Sequence, residues 1–255
     1  MAISWKGSIS FGLIYIPIQL KVATRDQQIR FNQLHNTCHE RIQYKKVCSN
    51  CGEEVKGADI VKGYEYEKGE YVIFTDVDFE QLKSEKDKTI QIEQFVKLEE
   101  IDPIYYEKAY YVQPTGGEQA FSLLMKAMNE TNKVGLAKVV FGRKENLVAL
   151  RVDKDTMYLY KLFFHNEVEP HAGYDLNLTL NGPEVDLAKQ LIENLTKPFD
   201  PQKYYDSYYE RVKDAIEYKI QGKSIPEPQD EPDAQISNLM EALRQSIQST
   251  EGPRA

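Results

Sequence analysis

The chain has 255 residues, 41% hydrophobic and 28% charged, the composition of a globular protein with room for one large domain or two ordinary ones. It has no apolar run of about 18 residues and no apolar leader after Met1. That excludes a membrane span and a secretory signal and leaves the cytoplasm as the expected compartment. The formal net charge of -8, from 32 basic and 40 acidic residues, argues against a protein that coats nucleic acid by bulk charge.

In chain order, the first half reads as β-structure. From Leu13 to Val22 the even positions Ile14, Ile16, Ile18, Leu20 and Val22 are apolar, while the odd ones include Tyr15, Gln19 and Lys21. A period of two puts one face in a core and the other toward solvent or a ligand. Pro17 cannot donate to a ladder, so it predicts an edge or a bulge. Next comes a cysteine cluster, His35-Asn36-Thr37-Cys38 followed by Cys48-Ser49-Asn50-Cys51-Gly52. Further strands are expected at 71–75, 88–96, 104–112, 134–141, 146–152 and 157–164. Many short strands joined by turns such as Lys68-Gly69 point to a barrel or a sandwich.

Helices are fewer. Residues 117–129 place Ala120, Leu123, Leu124 and Met128 at helical spacing. Residues 184–196 do the same with Val185, Ala188, Leu191, Ile192 and Leu195. Asp200-Pro201 reads as a cap followed by proline at the first helical position. From there a stripe of Tyr205, Tyr208, Tyr209, Val212, Ile216 and Ile220 runs to Gly222, an arm with little to pack on in its own neighbourhood. Pro226, Pro228 and Pro232, interleaved with Glu227, Asp230, Glu231 and Asp233, read as an extended linker. Ile236, Leu239, Met240, Leu243 and Ile247 then recur at helical spacing, as a docking peptide or as a helix that packs back on its own domain.

Three cysteines, an odd number, in a cytoplasmic chain argue against a disulfide framework. Two knuckles, each with donors three apart, can supply a tetrahedral zinc site from His35, Cys38, Cys48 and Cys51, with His39 as a competing fourth ligand. Four protein ligands would make the zinc structural. A redox C-x-x-C and metal-free thiols are the other readings. No phosphate-binding glycine loop, H-E-x-x-H or G-x-S-x-G occurs. His165 and His171 flank Glu167 and Glu169, but no constellation requires an active site, and the chain is read as a non-enzyme.

Charge is uneven along the chain. Residues 1–62 carry 9 Lys+Arg against 5 Asp+Glu, residues 63–110 carry 6 against 13, and residues 111–165 carry 8 against 5. Two basic stretches therefore flank an acidic one, which predicts an oriented charged surface.

The opening Trp5-Lys6-Gly7-Ser8-Ile9-Ser10-Phe11-Gly12-Leu13, with Ile16-Pro17, resembles the start of bacterial Ku proteins, the DNA-end-binding factors of non-homologous end joining. The resemblance continues through Lys62-Gly63-Tyr64-Glu65-Tyr66, the segment from Phe95-Val96 to Ile101-Asp102-Pro103-Ile104-Tyr105-Tyr106, Tyr110-Tyr111 and residues 142–151. It reaches the helix at 184–196 and Pro198-Phe199-Asp200-Pro201, covering about residues 1–223.

It implies a mixed, β-rich fold: a Ku-type β-barrel core over residues 1–197, with an inserted bridge that is zinc-ribbon-like at about 30–62. A C-terminal helical arm at 198–223 and an acidic, proline-containing tail at 224–255 follow. It further implies a homodimeric ring that threads double-stranded DNA ends and an arm that engages the ATP-dependent DNA ligase D. Neither a membrane nor a small-molecule substrate is implied. Relatives often end in a Lys-rich extension; the acidic tail here departs from that pattern.

A ring needs cations that touch phosphates without reading bases. The candidates are Lys21, Arg25, Arg30, Arg41, Lys45 and Lys46 in the first basic stretch, and Lys133, Lys138, Arg143 and Lys144 in the second. Partner docking falls on Tyr205, Tyr209, Val212, Ile216, Leu239 and Leu243. Two other functions compete: a zinc-ribbon nucleic-acid adaptor without end specificity, and a metal-dependent nuclease built on His165, His171 and nearby carboxylates.

Overall fold

Alternation of apolar side chains decides the architecture. In β2 (Ile14–Val22), Ile16, Ile18 and Leu20 are buried while Tyr15, Pro17 and Gln19 between them are not, and in β1 (Ile3–Phe11) Ile9 is buried together with Ser10. Gly12, at a φ of +61°, turns one strand back on the other. The computed structural model describes residues 3–82, 88–141, 144–171, 173–174, 182–226 and 239–250. Contacts group residues 1–27 with 32–171 in one unit, and 28–31 with 172–255 in a second.

The first unit is built on a closed barrel. It contains β1, β2, β5 (Thr89–Val96), β6 (Tyr106–Pro114), β7 (Val134–Phe141), β8 (Lys144–Asp153) and β9 (Thr156–Leu162). Their order around the barrel is β1-β2-β6-β9-β8-β7-β5. All neighbours are antiparallel except β5 and β1, whose parallel pairing, Ile9 opposite Ile90, closes the ring. The interior holds Ile9, Ile16, Ile18, Leu20, Ile90, Val112, Val148, Leu150, Met157 and Leu159. Helix α2 (Glu118–Thr131) packs against β2 and β8 and adds Phe121, Leu124 and Met128 to the same core. A second cluster, Val134, Ala149 and Leu162, lies on the outer face of β7–β9 with Leu98, Ile101, Tyr105 and Tyr106 against it.

Outside the barrel, β3 (Lys62–Glu67) and β4 (Glu70–Phe74) form a two-stranded sheet followed by the short helix α1 (Asp76–Gln81). Thr75 and Asp78 cap α1 reciprocally. The second unit contains α3 (Gly182–Leu195), α4 (Ser207–Ile220) and α5 (Leu239–Thr250).

The barrel resolves the choice between barrel and sandwich. Pro17 lies at neither an edge nor a bulge: β2 has a neighbour on both sides, and its ladder with β6 begins at Ile18, one residue after the proline. The missing donor therefore falls where no rung is needed, and the Pro17 carbonyl still accepts from the Thr115 N–H at 2.9 Å. The arm also starts later than expected. Asp200-Pro201 opens a single 3₁₀ turn, and α4 begins only at Ser207, capped by the Asp206 carboxylate, which accepts from the Tyr209 N–H at 2.9 Å. Tyr205 thus precedes the helix. The helix ends at Gly222 as expected, with Gly222 at a φ of +70° and the Lys223 N–H on the Tyr218 carbonyl. Strands β1 and β3 and helix α1 were not anticipated. In β1 the apolar rhythm is diluted by Lys6, Gly7 and Ser8.

Candidate nucleic-acid interface

Residues directly opposite in neighbouring strands share a face of the sheet. Lys21 of β2 sits opposite Tyr111 of β6, Tyr111 opposite Tyr158 of β9, and Tyr158 opposite Arg151 of β8. Their chain neighbours Leu20, Val112, Met157 and Leu150 point into the core, so this row faces outward. Lys21, Tyr111, Tyr158 and Arg151 are all half-buried. With strands about 4.8 Å apart, three steps separate the backbones of Lys21 and Arg151 by about 14 Å along the sheet. Two residues along, a parallel row holds Lys6, Gln19 and Gln113, with the Gln19 amide donating to Gln113 Oε1 at 3.3 Å.

The tyrosines stack into a ladder. Ring centroids are 5.5 Å apart for Tyr111 and Tyr158, 6.1 Å for Tyr158 and Tyr160, and 5.3 Å for Tyr106 and Tyr160, the last pair edge-on. Burial, aided by Tyr160, pushes the Tyr106 hydroxyl above its ordinary value, with Arg151 opposing, so it stays a neutral donor. Arg151 also has Asp153 4.0 Å away, a long ion pair. This face therefore offers ammonium, guanidinium, amide and phenol groups, the chemistry that contacts sugar and phosphate. Of it, the expected cations included only Lys21. Alternation in β2 marks Gln19 and Lys21 as outward, but nothing local indicates that β6, β9 and β8 come next.

The remaining expected cations are scattered. Lys138 is on the outer face of β7, paired with Glu93 at 3.3 Å. Lys45 pairs with Glu54 at 2.7 Å, and Lys144 with Glu167. The Lys144 hydrogen bond, with the Phe164 N–H, holds the Glu167 carboxyl below its ordinary value. Arg25, Arg41 and Lys46 are exposed in the long segment between β2 and β3, and Lys133 is half-buried just before β7. Arg30 belongs to the second unit, and Arg143 lies outside the described residues.

The cysteine segment forms two knuckles of the same design. In the first, the His39 N–H donates to the His35 carbonyl at 2.8 Å and the His35 N–H to the Glu40 carbonyl at 2.8 Å. In the second, the Gly52 N–H donates to the Cys48 carbonyl at 2.9 Å and the Cys48 N–H to the Glu53 carbonyl at 2.9 Å. His39 and Gly52, each just after the second donor, are both left-handed, with φ of +58° and +74°. His39 thus fills the turn position that glycine fills in the other knuckle. His35 Nδ1 lies 3.1 Å from Cys38 Sγ. Backbone N–H groups of Cys51 and Asn50, with the Cys51 thiol, lower the Cys48 thiol below its ordinary value. The donors stand as two pairs; among the described residues no group of three or more His, Cys, Asp or Glu is gathered around one point. The same holds for the nuclease candidates, where His165 has Tyr105 as its neighbour, Nδ1 to hydroxyl 3.5 Å.

On the arm, Val212 and Ile216 line an apolar groove of about 610 Å³ with Phe31, Tyr208 and Ala215. Its charged lining residues are both cations, Arg211 and Lys219. Tyr209 is half-buried and Tyr205 is exposed before the helix; Leu243 is half-buried on α5, where Leu239 is the first residue. Among the described residues no helix is long and apolar enough to cross a membrane.

A family model described as the Ku70/Ku80 β-barrel domain matches residues 10–193. A protein of Lachnoclostridium phytofermentans named "Non-homologous end joining protein Ku" is 43% identical over 98% of this chain and 97% of its own. Proteins of the same name from Symbiobacterium thermophilum and Heliobacterium modesticaldum are 43% and 44% identical over 98% and 96% of this chain. The match spans 64% of the Symbiobacterium protein and 90% of the Heliobacterium one.

Proposed function

The chain belongs to the Ku family, and from that membership we propose that it binds the ends of double-stranded DNA in non-homologous end joining, without itself catalysing a reaction. The observation that carries this reading is the match to end-joining proteins at 43% identity along 98% of the chain. The outer barrel face supports it. Lys21 and Arg151 end an outward-facing row whose cations can contact phosphates. Between them are neutral donors that can hold sugar and phosphate without reading bases.

The finer proposal is a homodimeric ring. The β3–β4 sheet exposes Tyr64, Tyr66, Tyr71 and Ile73, and a two-stranded sheet is marginal by itself, so a second copy would stabilise it by covering it. Cations facing the hole would then include the outer-face pair and the expected residues from both basic stretches. Partner docking, with an ATP-dependent DNA ligase as occupant, is assigned to the groove around Val212 and Ile216, whose cationic rim suits an acidic apolar segment. A structural zinc would be held by His35, Cys38, Cys48 and Cys51, drawing the two knuckles onto one ion and fixing the turns that carry Arg41, Lys45 and Lys46.

The test is end dependence. Linear duplex is expected to bind tightly and covalently closed circular duplex of the same sequence weakly, with both falling steeply as salt rises. Equal affinity for the two would overturn the reading.

A further inference from the structure

Among the described residues, one apolar side chain of the second unit is buried: Ile247 of α5, at 7% exposure. Helix α5 packs on α3. Its Ala242, Leu243 and Ser246 are half-buried on the same side as Ile247, while Arg244, Gln248 and Ser249 are exposed. These are the i, i+3, i+4 positions of one helical face. On α3 the matching stripe is Val185, Ala188 and Leu191, all half-buried. That stripe does not stop there. Ile192 and Leu195 continue it and are 65% and 57% exposed. The apolar surface of α3 is therefore larger than what α5 covers.

A helix of 12 residues is marginal in water, so α5 gains its helical form largely from its seat on α3. It is tied to α4 by residues 221–238. Because both helices belong to one chain, their contact is intramolecular, which keeps even a modest contact made. A contact made by so short a helix is one that a free helix with the same apolar spacing can replace.

We propose that the apolar stripe of α3 is a docking site for an amphipathic helix, that α5 occupies it in the resting chain, and that a partner helix with large aliphatic residues at the same spacing displaces α5. The face bearing Leu243 and Ile247 shows what that partner helix presents. The site is distinct from the groove on α4, and it stands whether or not the chain binds DNA ends.

The test uses the full chain and a fluorescein-labelled synthetic peptide of residues 236–250 as the probe. Wild type is compared with full-length Leu243→Asp and Ile247→Asp, each of which places a carboxylate in the α3–α5 contact. Fluorescence anisotropy should show the peptide binding the two variants at least about tenfold more tightly than wild type, because the tethered α5 no longer competes. A peptide carrying Ile247→Asp should bind none of the three. Amide exchange in residues 185–195 should quicken in both variants. The fluorescence of Trp5, in the barrel, should melt at the wild-type temperature and show that the fold is intact. Equal peptide affinity for wild type and variants, or no binding to any of them up to about 1 mM, overturns the proposal, as does unchanged amide exchange.

Discussion

The indole of Trp5 lies across Gly7, two residues further along the same face of β1. A Cβ at residue 7 would collide with the six-membered ring of Trp5 and with the carbonyl oxygen of Lys88, the residue before β5. Glycine therefore lets the ring lie flat inside the barrel, edge-on to Phe141 at 5.6 Å, and lets β5 approach β1 to close it. Gly7→Ala should cost about 1–3 kcal/mol by overpacking, and Trp5→Ala about 3–5 kcal/mol by leaving a cavity. Thermal unfolding followed by circular dichroism measures both. Wild-type melting in Gly7→Ala would mean that Trp5 moves aside freely.

On the outer face, Lys21→Ala and Arg151→Ala should each weaken binding of linear duplex and each reduce the slope of log K against log salt by about 1. Lys45→Ala, Lys138→Ala and Lys144→Ala should have smaller effects, because each of these ammonium groups has a carboxylate closer than the Asp153 that stands 4.0 Å from Arg151. Titrations at three salt concentrations measure the slopes. A larger loss from the paired lysines than from Lys21 and Arg151 would move the interface away from β2–β6–β9–β8.

For the knuckles, chelator-washed protein should retain about one zinc per chain, since a closed Cys/His site holds the metal tightly. Cys51→Ser should lose it, whereas His39→Gly should keep it, because His39 occupies the left-handed position held by Gly52 in the sister knuckle. Elemental analysis decides. Zinc lost from His39→Gly and retained by His35→Ala would assign the fourth ligand to His39.

Glu167 gives a pH-dependent contribution of known sign. Its carboxyl is held below the ordinary 4.5, first by the Lys144 hydrogen bond and then by the Phe164 N–H. A depressed folded pKa adds stability above the unfolded pKa, and that stability is lost as pH falls through the folded value. Lys144→Ala should therefore destabilise the barrel slightly at pH 7, and the difference from wild type should shrink as the pH falls through and below the ordinary carboxylate range. NMR titration of Glu167 should show its pKa rising toward the ordinary value in the variant. No change in that titration would mean the Lys144 contact is not formed in solution.

Legibility followed the range of the physics. The even positions of β2 announced its buried face, and Leu124 and Met128 marked the buried side of α2, because both periodicities are local. The double knuckle could be read from donor spacing and from a single glycine. The start of α4 was misplaced because Asp200-Pro201 and Asp206-Ser207 are both good start signals. The three residues 201–203 between them close only a 3₁₀ turn. The α3–α5 contact was left open, since an amphipathic face shows that a helix needs cover without showing which surface supplies it.

The sequence by itself determined which residues alternate, where turns need glycine, the donor pattern at 35–51 and, through motifs such as Trp5-Lys6-Gly7, the family. Tertiary structure alone decided that Lys21, Tyr111, Tyr158 and Arg151 form one row, though their strands are far apart in the chain. A period of two says which face a side chain takes and nothing about the neighbouring strand. That neighbour is chosen by closure of the barrel, which the parallel pairing of β1 with β5 completes.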